Sequence, residues 1–562
     1  MTASTVVQKN VKTAKTAAGR APGWQTLLVW AAALALVAAG IWMRWHDLGL
    51  LFDRDGYDEG VYWQSLRAMS AGQTLYQPTF YSQPPFFLLS IFPTFMLFGQ
   101  TLWAARLGIV LVSLLGFVGA MLLGKALAGR VGLLAALFLL VADPLYLAQS
   151  QSIQAEAPSA AFSLLAVGLA YLWFSQPEGV AGLWYAALCA ITLALGILCK
   201  LLGVAAVVPV GLLMLAQLWK VWQRRGNDGQ IEGDGKSEPT GTPGVPINRR
   251  GPTLEAGTSG VGRDWSRSRW RGDSRRFSGV GSVIVGVVAF ILTLVVVILP
   301  FAGVFPQMMQ QVVSFHLAAG VTFKSTQAGN STMLLTALSS LTAGAALVGS
   351  IAALLRRDWR VFPLIAWFLA TIYLLWQQVP LFPHHLVALV PPLVALAVVG
   401  IGPIKLEKSE YAIITNTTTA ITLLVVLGAG LVSGYAAYHY LRLEHGQGTA
   451  TATTQGLQVA QDLEAATRPD QLVITDAQFI AGLANRNTPA SLVDTSMVHI
   501  QSGYLDAQQL IQQGEQPQVH AVLFYTGRLM LPDTVAFHTW VTQHFRLAHN
   551  YGGGKELWIK VL

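Results

Sequence analysis

Charged residues and cysteines are scarce in this chain. Only 11% of its 562 residues are Asp, Glu, Lys or Arg, whereas 53% are hydrophobic. One water-soluble core cannot bury that much apolar surface, so a wholly soluble protein is excluded. The only two cysteines, Cys189 and Cys199, lie in one apolar run, which excludes a disulfide framework outside the membrane. Lipid must therefore surround part of the molecule.

Signatures of several other functions are also missing. The formal charge of +8 is not gathered into a basic patch with interleaved aromatic residues, so nucleic acid is not an expected partner. The apolar runs show no duplicated halves and no charge network at their midplane, which argues against a transporter. The region after residue 445 has no glycine-rich phosphate loop, nucleophile elbow or metal-ligand spacing. The apolar runs and their connecting loops are left as the place to look for a site.

What the chain does contain is a series of apolar runs of roughly 17 to 25 residues, each long enough to cross a bilayer. They predict an α-helical polytopic membrane protein with about eleven transmembrane helices. The predicted spans are residues 24–43, 103–124, 131–148, 157–174, 182–199, 201–219, 280–302, 333–355, 362–378, 385–402 and 412–438.

Basic residues set the orientation of these spans, because cytoplasmic loops carry an excess of Lys and Arg. The resulting multi-pass protein of the plasma membrane has five parts. They are a cytoplasmic tail (1–23), an N-terminal transmembrane module (24–219) with a first external loop (44–102), a disordered basic cytoplasmic loop (220–278), a C-terminal transmembrane module (279–438) and an extracytoplasmic α/β domain (439–562). In the last part, "QLVITD" and "AVLFYTG" predict strands and "TQGLQVAQDLEAA" predicts an amphipathic helix.

The same orientation gathers most of the unusual polar residues on the external side. They are Asp53, Arg54, Asp55, Asp58, Glu59, Gln83, Glu156, His316, Lys324, His384 and His385. Charges near a membrane are costly unless they pair or take part in function, so this collection predicts a site. The stretch "YDEGVYWQSLRAMSAGQ" predicts an amphipathic helix at the outer interface, with Asp58 and Glu59 at its start. A structural alternative is that both acids only stabilise the start of that helix.

The order of motifs carries a resemblance to a known family. The Asp58-Glu59 pair is followed by the Pro84-Pro85 step of "YSQPPFFLLSIF" and then by Arg106 in "LWAARLGIV". This arrangement resembles the polyprenyl-phosphate-dependent glycosyltransferases of the GT-C class, in particular the protein O-mannosyltransferase and aminoarabinose-transferase group. The resemblance is spread from about residue 24 to residue 400, with a loose echo to the end of the chain, and it implies a GT-C-like fold.

The resemblance also implies site residues. Asp58 is the expected catalytic base, with Glu59 beside it. A second external acid of the family matches Glu156 of "SIQAEAPSA", and the family's late aromatic or histidine segment matches "PLFPHHLVALVPPL". The chain departs from the pattern at Gln83, where the aminoarabinose transferases have a lysine that contacts the donor phosphate. Another cation must bind that phosphate if the reaction is the same.

Candidates for donor binding are Gln83, Arg106, Glu156, Lys324, His384 and His385. Arginine offers a planar fork to phosphate oxygens and lysine a point charge. Each candidate has a structural alternative. Arg106 can pair with an acid of the first loop, Glu156 can cap its helix, Lys324 can be a solvated loop residue, and the adjacent histidines can be an interfacial pair.

The predicted activity is an inverting transfer of a sugar from a polyprenyl-phosphate donor to an acceptor hydroxyl on the extracytoplasmic face. The acceptor is a protein, lipid or glycan, and the C-terminal domain shapes its entrance. Some GT-C enzymes use a divalent cation, which Asp58 and Glu156 can hold only with further oxygen ligands, so the metal is left open. The alternatives are a lipid or solute transporter, or a non-catalytic envelope assembly protein.

Overall fold

The protein is a bundle of apolar helices followed by a small α/β domain. The computed structural model describes residues 23–233, 265–402 and 410–561. The predicted cytoplasmic tail lies outside the described residues, except for its last residue.

The bundle confirms the prediction of a polytopic helical membrane protein. Within the described ranges, seven helical stretches are long and apolar enough to cross a membrane, or up to eight if a bent pair counts as one span. The helices of the bundle are Trp24–Trp45, Asp58–Ser70, Phe86–Leu97, Leu102–Ala142, Pro144–Gln149, Glu156–Ser175, Gly179–Cys199, Val207–Gly233, Trp265–Ile298, Phe305–Met309, Phe315–Thr322, Gln327–Leu338, Leu341–Leu355, Val361–Gln377, Val390–Val399 and Glu410–Gly448.

The helix Leu102–Ala142 is a hairpin rather than one rod. Its ladder is broken at Ala128 and at Gly129, whose φ of 66° suits a residue without a side chain. The chain reverses there, and Gly124 and Gly132 lie against each other. The hairpin therefore supplies the two separate spans predicted at 103–124 and 131–148. The second one ends early, since Asp143 caps a new helix that begins at Pro144.

The late spans are less regular than the sequence predicts. The predicted span 333–355 is divided between two helices bent by 75° to each other. The helices Val361–Gln377 and Pro383–Val399 have at most 17 residues, and Val390–Val399 is buried on every side. A helix enclosed by protein need not match the full thickness of the bilayer. The eleven predicted spans include such bent and short segments. These segments are not among the seven described stretches that are long enough to cross a bilayer.

The segment predicted as a disordered cytoplasmic loop, residues 220–278, is helical at both ends. Val207–Gly233 extends into it from one side and Trp265–Ile298 from the other. The central residues 234–264 lie outside the described residues, so disorder there stays a prediction.

The C-terminal domain contains a four-stranded sheet of order β1-β2-β4-β3. Its strands are β1 (Leu472–Thr475), β2 (Val519–Phe524), β3 (Phe545–Gly552) and β4 (Lys555–Lys560). β1 and β2 are parallel, whereas β4 is antiparallel to β2 and β3. The domain's helices are Thr451–Ala466, Gln478–Leu483, Met497–Gln501, Ala507–Glu515 and Val535–His544. The strands and the amphipathic helix predicted in this region are confirmed.

One helix joins the two parts of the molecule and places the site. The helix Asp58–Ser70, here called the first-loop helix, packs against the segment 478–487 that follows β1. Gly60 allows the backbone of Phe479 to approach so closely that an added Cβ would lie 2.5 Å from its nitrogen. Gln64 Nε2 donates to the carbonyls of Gln478 at 3.3 Å and Arg486 at 3.0 Å. The predicted helix forms, but its residues 59–66 are all buried, so the C-terminal domain covers a face expected at the membrane interface.

Candidate active site

A cavity of about 990 Å³ lies between the bundle and the C-terminal domain. Several elements distant in sequence meet at its walls: the start of the first-loop helix, the ends of two spans, the histidine segment and two loops of the C-terminal domain. The polar residues of the lining include Arg54, Asp55, Tyr57, Asp58, Gln83, Lys200, His316, His384, His385, Asp494 and Arg528. Seven of the eleven residues predicted on the external side therefore line this one cavity, and residues that the sequence did not single out join them.

Asp58 is the first residue of the first-loop helix and projects into this cavity. Its side chain is 33% exposed, and Oδ2 lies 3.9 Å from His384 Nε2. Burial raises the pKa of Asp58 to about 6, Asp55 and Asp494 contribute in the same direction, and His384 and Lys200 oppose the shift. A carboxyl group with such a pKa is ionised at neutral pH and accepts a proton more readily than an ordinary aspartate.

The wall nearest the spans carries a cluster of opposite charges, here called the span-end cluster: Glu156, Lys200, His384 and His385. Lys200 Nζ donates a hydrogen bond to Glu156 Oε1. His384 Nε2 and His385 Nε2 lie 3.8 and 3.7 Å from the same oxygen. Lys200 and both histidines line the cavity, whereas Glu156 lies behind them. The cluster presents nitrogen atoms to the cavity and keeps its carboxylate at the rear.

His384 also connects this cluster to the first loop. Its Nδ1 lies 3.0 Å from Asp55 Oδ1, so one imidazole ring faces carboxylates on both sides. In His385, Nδ1 accepts a hydrogen bond from the backbone N–H of Phe382 at 3.2 Å, which leaves Nε2 as the N–H that faces Glu156. The two rings are perpendicular, with centroids 4.5 Å apart. Adjacent histidines therefore take different positions around one glutamate.

Glu59 and Arg106 do not line the cavity. Both side chains are fully buried and form an ion pair of 2.7 Å. Arg106 also donates to the carbonyls of Leu48, Leu50 and Phe52, which fills the donors of its guanidinium. Although burial alone would raise the pKa of Glu59, Arg106 and the backbone N–H of Arg54 hold it below its usual range. In the structure Arg106 therefore takes the alternative noted above and supports the first loop.

The remaining two candidates lie in different places. Gln83 is buried at the wall of the cavity. Lys324 is exposed and is not among the residues that line the cavity. The long loop predicted to carry it is largely helical, with Phe315–Thr322 before it and Gln327–Leu338 after it.

Sequence reasoning missed Lys200, Asp494 and Arg528. A signal was present for Lys200, since it stands alone between the runs 182–199 and 201–219, at an end of two spans where the orientation predicts few basic residues. Asp494 and Arg528 had no local signal. Their loops reach the cavity only because the C-terminal domain packs on the first-loop helix.

Among the residues that the structure describes, two groups of three side chains are near enough to share a cation. They are Glu156, His384 and His385, and Asp55, Asp58 and His384. In the first group the ammonium of Lys200 already occupies the position beside Glu156. In the second, Asp55 is hydrogen-bonded to His384, and three ligands are few for a hard cation, which takes six or more oxygens. The residues present thus do not form a complete metal centre, and the mechanism below is derived without one.

Two comparisons with known proteins agree with this architecture. A family model described as dolichyl-phosphate-mannose-protein mannosyltransferase matches residues 80–231. No curated protein gives a significant sequence match.

Among solved structures, ArnT from Cupriavidus metallidurans in the apo state superposes with a TM-score of 0.54 at 15% identity, over 96% of this chain and 98% of that one. The same protein bound to undecaprenyl phosphate gives 0.54 at 14%, over 96% and 99%. AglB from Archaeoglobus fulgidus, an archaeal oligosaccharyltransferase in complex with an inhibitory peptide and a dolichol-phosphate, gives 0.50 at 12%, over 96% and 75%. The protein therefore has the fold of the GT-C membrane glycosyltransferases, and the resemblance expected from the sequence is confirmed.

Proposed function

We propose that this protein is a membrane glycosyltransferase that moves a sugar from a polyprenyl-phosphate donor to an acceptor hydroxyl, with Asp58 as the base. The observation that carries the proposal is the placement of Asp58 beside the cavity-facing nitrogens of the span-end cluster, at the wall of one cavity. A proton acceptor and a set of nitrogen donors face each other there, as the transfer requires. The cavity is also large enough for a sugar phosphate, since ligand pockets hold about 300–1,000 Å³.

The acceptor side of the reaction needs Asp58. The acceptor oxygen attacks the anomeric carbon while its proton passes to the Asp58 carboxylate, and the bond from that carbon to the phosphate oxygen breaks. The bonding electrons leave with the polyprenyl phosphate. A single displacement of this kind inverts the anomeric centre. Phosphate departs without protonation, so one carboxylate suffices, unlike the pair used in glycoside hydrolysis.

The donor side needs a cation, because negative charge grows on the departing phosphate. Lys200 is suited to this role. An ammonium has three N–H donors, so its bond to Glu156 leaves two for phosphate oxygens. Lys200 thereby supplies the charge that Gln83 lacks, and His384 and His385 add N–H donors beside it. We therefore assign donor-phosphate binding to the cavity-facing members of the span-end cluster, with Glu156 positioning them.

The same arrangement supports an active site on the extracytoplasmic face. The positive-inside pattern puts the first loop outside, and the cavity opens at that end of the bundle, under the C-terminal domain. The transport alternative is not favoured, since the polar groups of the site gather at one mouth rather than at the middle of the spans. Similarity to GT-C enzymes also supports transfer over a passive assembly role.

Replacing Asp58 by Asn tests the proposal. The amide keeps the size of the side chain but cannot accept the proton, so sugar transfer from a polyprenyl-phosphate donor in membranes should fall by roughly 100- to 10,000-fold. Asp470→Asn is the matched control, because Asp470 is exposed in the C-terminal domain and does not line the cavity. Unchanged transfer by a normally inserted Asp58→Asn protein would refute the assignment of the base.

A further inference from the structure

Arg528 brings a positive charge from the C-terminal domain to the cavity that the span-end cluster also lines. It follows Gly527, whose φ of 82° turns the chain after β2, and it begins the short helix Arg528–Met530. Its guanidinium carbon lies 4.0 Å from the centre of the Tyr57 ring. Tyr57 directly precedes Asp58 in the chain. Arg528 is therefore held, by a cation–π contact, beside the backbone that carries the proposed base.

Tyr57 is itself fixed by the C-terminal domain. Its hydroxyl accepts a hydrogen bond from the backbone N–H of Thr495 at 2.8 Å and lies 3.4 Å from Asp494 Oδ1. Tyr57 belongs to the first loop, and its hydroxyl is held by the C-terminal domain. The ring that supports Arg528 is therefore fixed, and the guanidinium has a defined position.

The guanidinium of Arg528 has no partner for its N–H groups among the described residues. No carboxylate oxygen of the described chain lies within 4 Å of it, and no hydrogen bond from its side chain is present there. The nearby acid Asp494 accepts from the backbone N–H of Ser496 at 2.7 Å in addition to its contact with Tyr57. An arginine that lines a cavity with its planar fork unused is suited to a carboxylate or phosphate.

We infer that Arg528 binds an acidic group of the acceptor, so that the substrate is an alcohol bearing a phosphate or carboxylate near the reacting hydroxyl. This inference rests on the proposed function and deepens it. The lipid chain of the donor lies in the bilayer, so its phosphate reaches the wall formed by the ends of the spans, where Lys200 stands. Arg528 belongs to the C-terminal domain, which follows the last candidate membrane span. Lys200 and Arg528 thus offer this cavity two cations from different parts of the molecule, and donor and acceptor anions bind at separate positions.

The arrangement also gives the C-terminal domain a role in specificity. Arg528 contacts Tyr57 only while the C-terminal domain is docked on the first-loop helix. An acceptor whose acidic group pairs with Arg528 places its hydroxyl on the Asp58 side of Tyr57. A neutral alcohol lacks that orientation and gains no charge-assisted hydrogen bond.

The test uses the full-length protein in lipid nanodiscs, with and without undecaprenyl phosphate. Wild type, Arg528→Gln and Arg546→Gln are titrated with glycerol 1-phosphate, glycerate and glycerol, and binding is measured by calorimetry. Arg546 is the matched control, since it is an exposed arginine on β3 of the same domain and does not line the cavity. Melting temperatures of the three proteins confirm that the variants are folded.

We expect wild type to bind the two anions about tenfold more tightly than glycerol, and Arg528→Gln to lose about that factor while Arg546→Gln keeps it. Undecaprenyl phosphate should bind equally well to all three proteins. Anion affinity unchanged in Arg528→Gln overturns the inference. So does competition between the soluble anions and undecaprenyl phosphate, which would place Arg528 at the donor phosphate. Failure of wild type to bind undecaprenyl phosphate counts instead against the proposed function. The two failures are distinguishable because the soluble anions are also titrated in the absence of the lipid.

Discussion

Glu59 and Arg106 form a two-pronged ion pair directly beside the proposed base. Arg106 Nε donates to one carboxylate oxygen at 2.8 Å and Nη2 donates to the other at 2.7 Å. The same carboxylate accepts from the backbone N–H groups of Arg54 at 3.0 Å and Ile153 at 3.1 Å. Glu59 thus ties the first loop to the helix of Arg106 and, through Ile153, to the segment that precedes the helix Glu156–Ser175. Its neighbour Asp58 faces the cavity.

Replacing Glu59 by Gln should therefore act on stability. The change leaves the buried charge of Arg106 uncompensated and puts an amide N–H₂ where a carboxylate oxygen accepted hydrogen bonds. Removing one partner of a buried pair typically costs about 3–5 kcal/mol. We expect a lower melting temperature and less folded protein in detergent. Asp58→Asn should melt like the wild type, and equal stability of Glu59→Gln would contradict the supporting role.

Lys200→Met should impair the donor side. The variant keeps most of the aliphatic stem but removes the cation, so the departing phosphate loses its stabilising charge. Transfer should fall by roughly 100- to 1,000-fold, and Lys200→Arg should recover part of it. The matched control is Lys555→Met, because Lys555 also donates to a side-chain oxygen, that of Gln455, but does not line the cavity. Transfer by Lys200→Met at the wild-type rate would exclude Lys200 from phosphate binding.

The rate of transfer should depend on the ionisation of Asp58. A base acts only when deprotonated, and the pKa of Asp58 is raised to about 6 by burial and by Asp55. Activity should therefore be constant above neutral pH and fall as the pH drops through about 6. The profile of kcat/KM against pH measures this directly. An acid limb near the pKa of an ordinary aspartate, about 4, would show that another group or environment governs the step.

Removal of divalent cations should leave transfer unchanged. Lys200 occupies the position beside Glu156 that a metal would take, and it already provides positive charge near the donor phosphate. Transfer is measured in membranes washed with a chelator, then after addition of Mg²⁺, Mn²⁺ or Zn²⁺. If activity is lost and a metal restores it, then Asp55, Asp58 and His384 bind a cation whose remaining ligands come from the substrate.

Gly60→Ala should loosen the contact between the first-loop helix and the C-terminal domain. Its added Cβ meets the backbone nitrogen of Phe479 at 2.5 Å, and backbone cannot move aside cheaply. We expect about 1–3 kcal/mol of destabilisation together with reduced transfer, since Asp58 begins the displaced helix. Gly456→Ala is the control, because that helical glycine meets only the Tyr525 hydroxyl, at 3.8 Å. Equal behaviour of the two variants would argue that the contact does not position the base.

Much of the fold could be read from local patterns in the chain. Span length, the separation of the spans 103–124 and 131–148, and the strands β1 and β2 follow from hydropathy or from alternation over a few residues. The gathering of Asp58, His384 and His385 at one mouth also followed, because the order of the spans decides which loops share a side of the membrane.

The sequence by itself thus determined a polytopic helical protein with an acid-bearing first loop, since apolar length acts locally on each segment. Only the tertiary structure decided that Glu59 supports the first loop while Asp58 faces the cavity. It also decided that Lys200 and Arg528 bring positive charge to that cavity, to which Gln83 contributes none. These roles depend on which side chains become neighbours after packing. Residues separated by hundreds of positions meet only when the C-terminal domain docks on the first-loop helix.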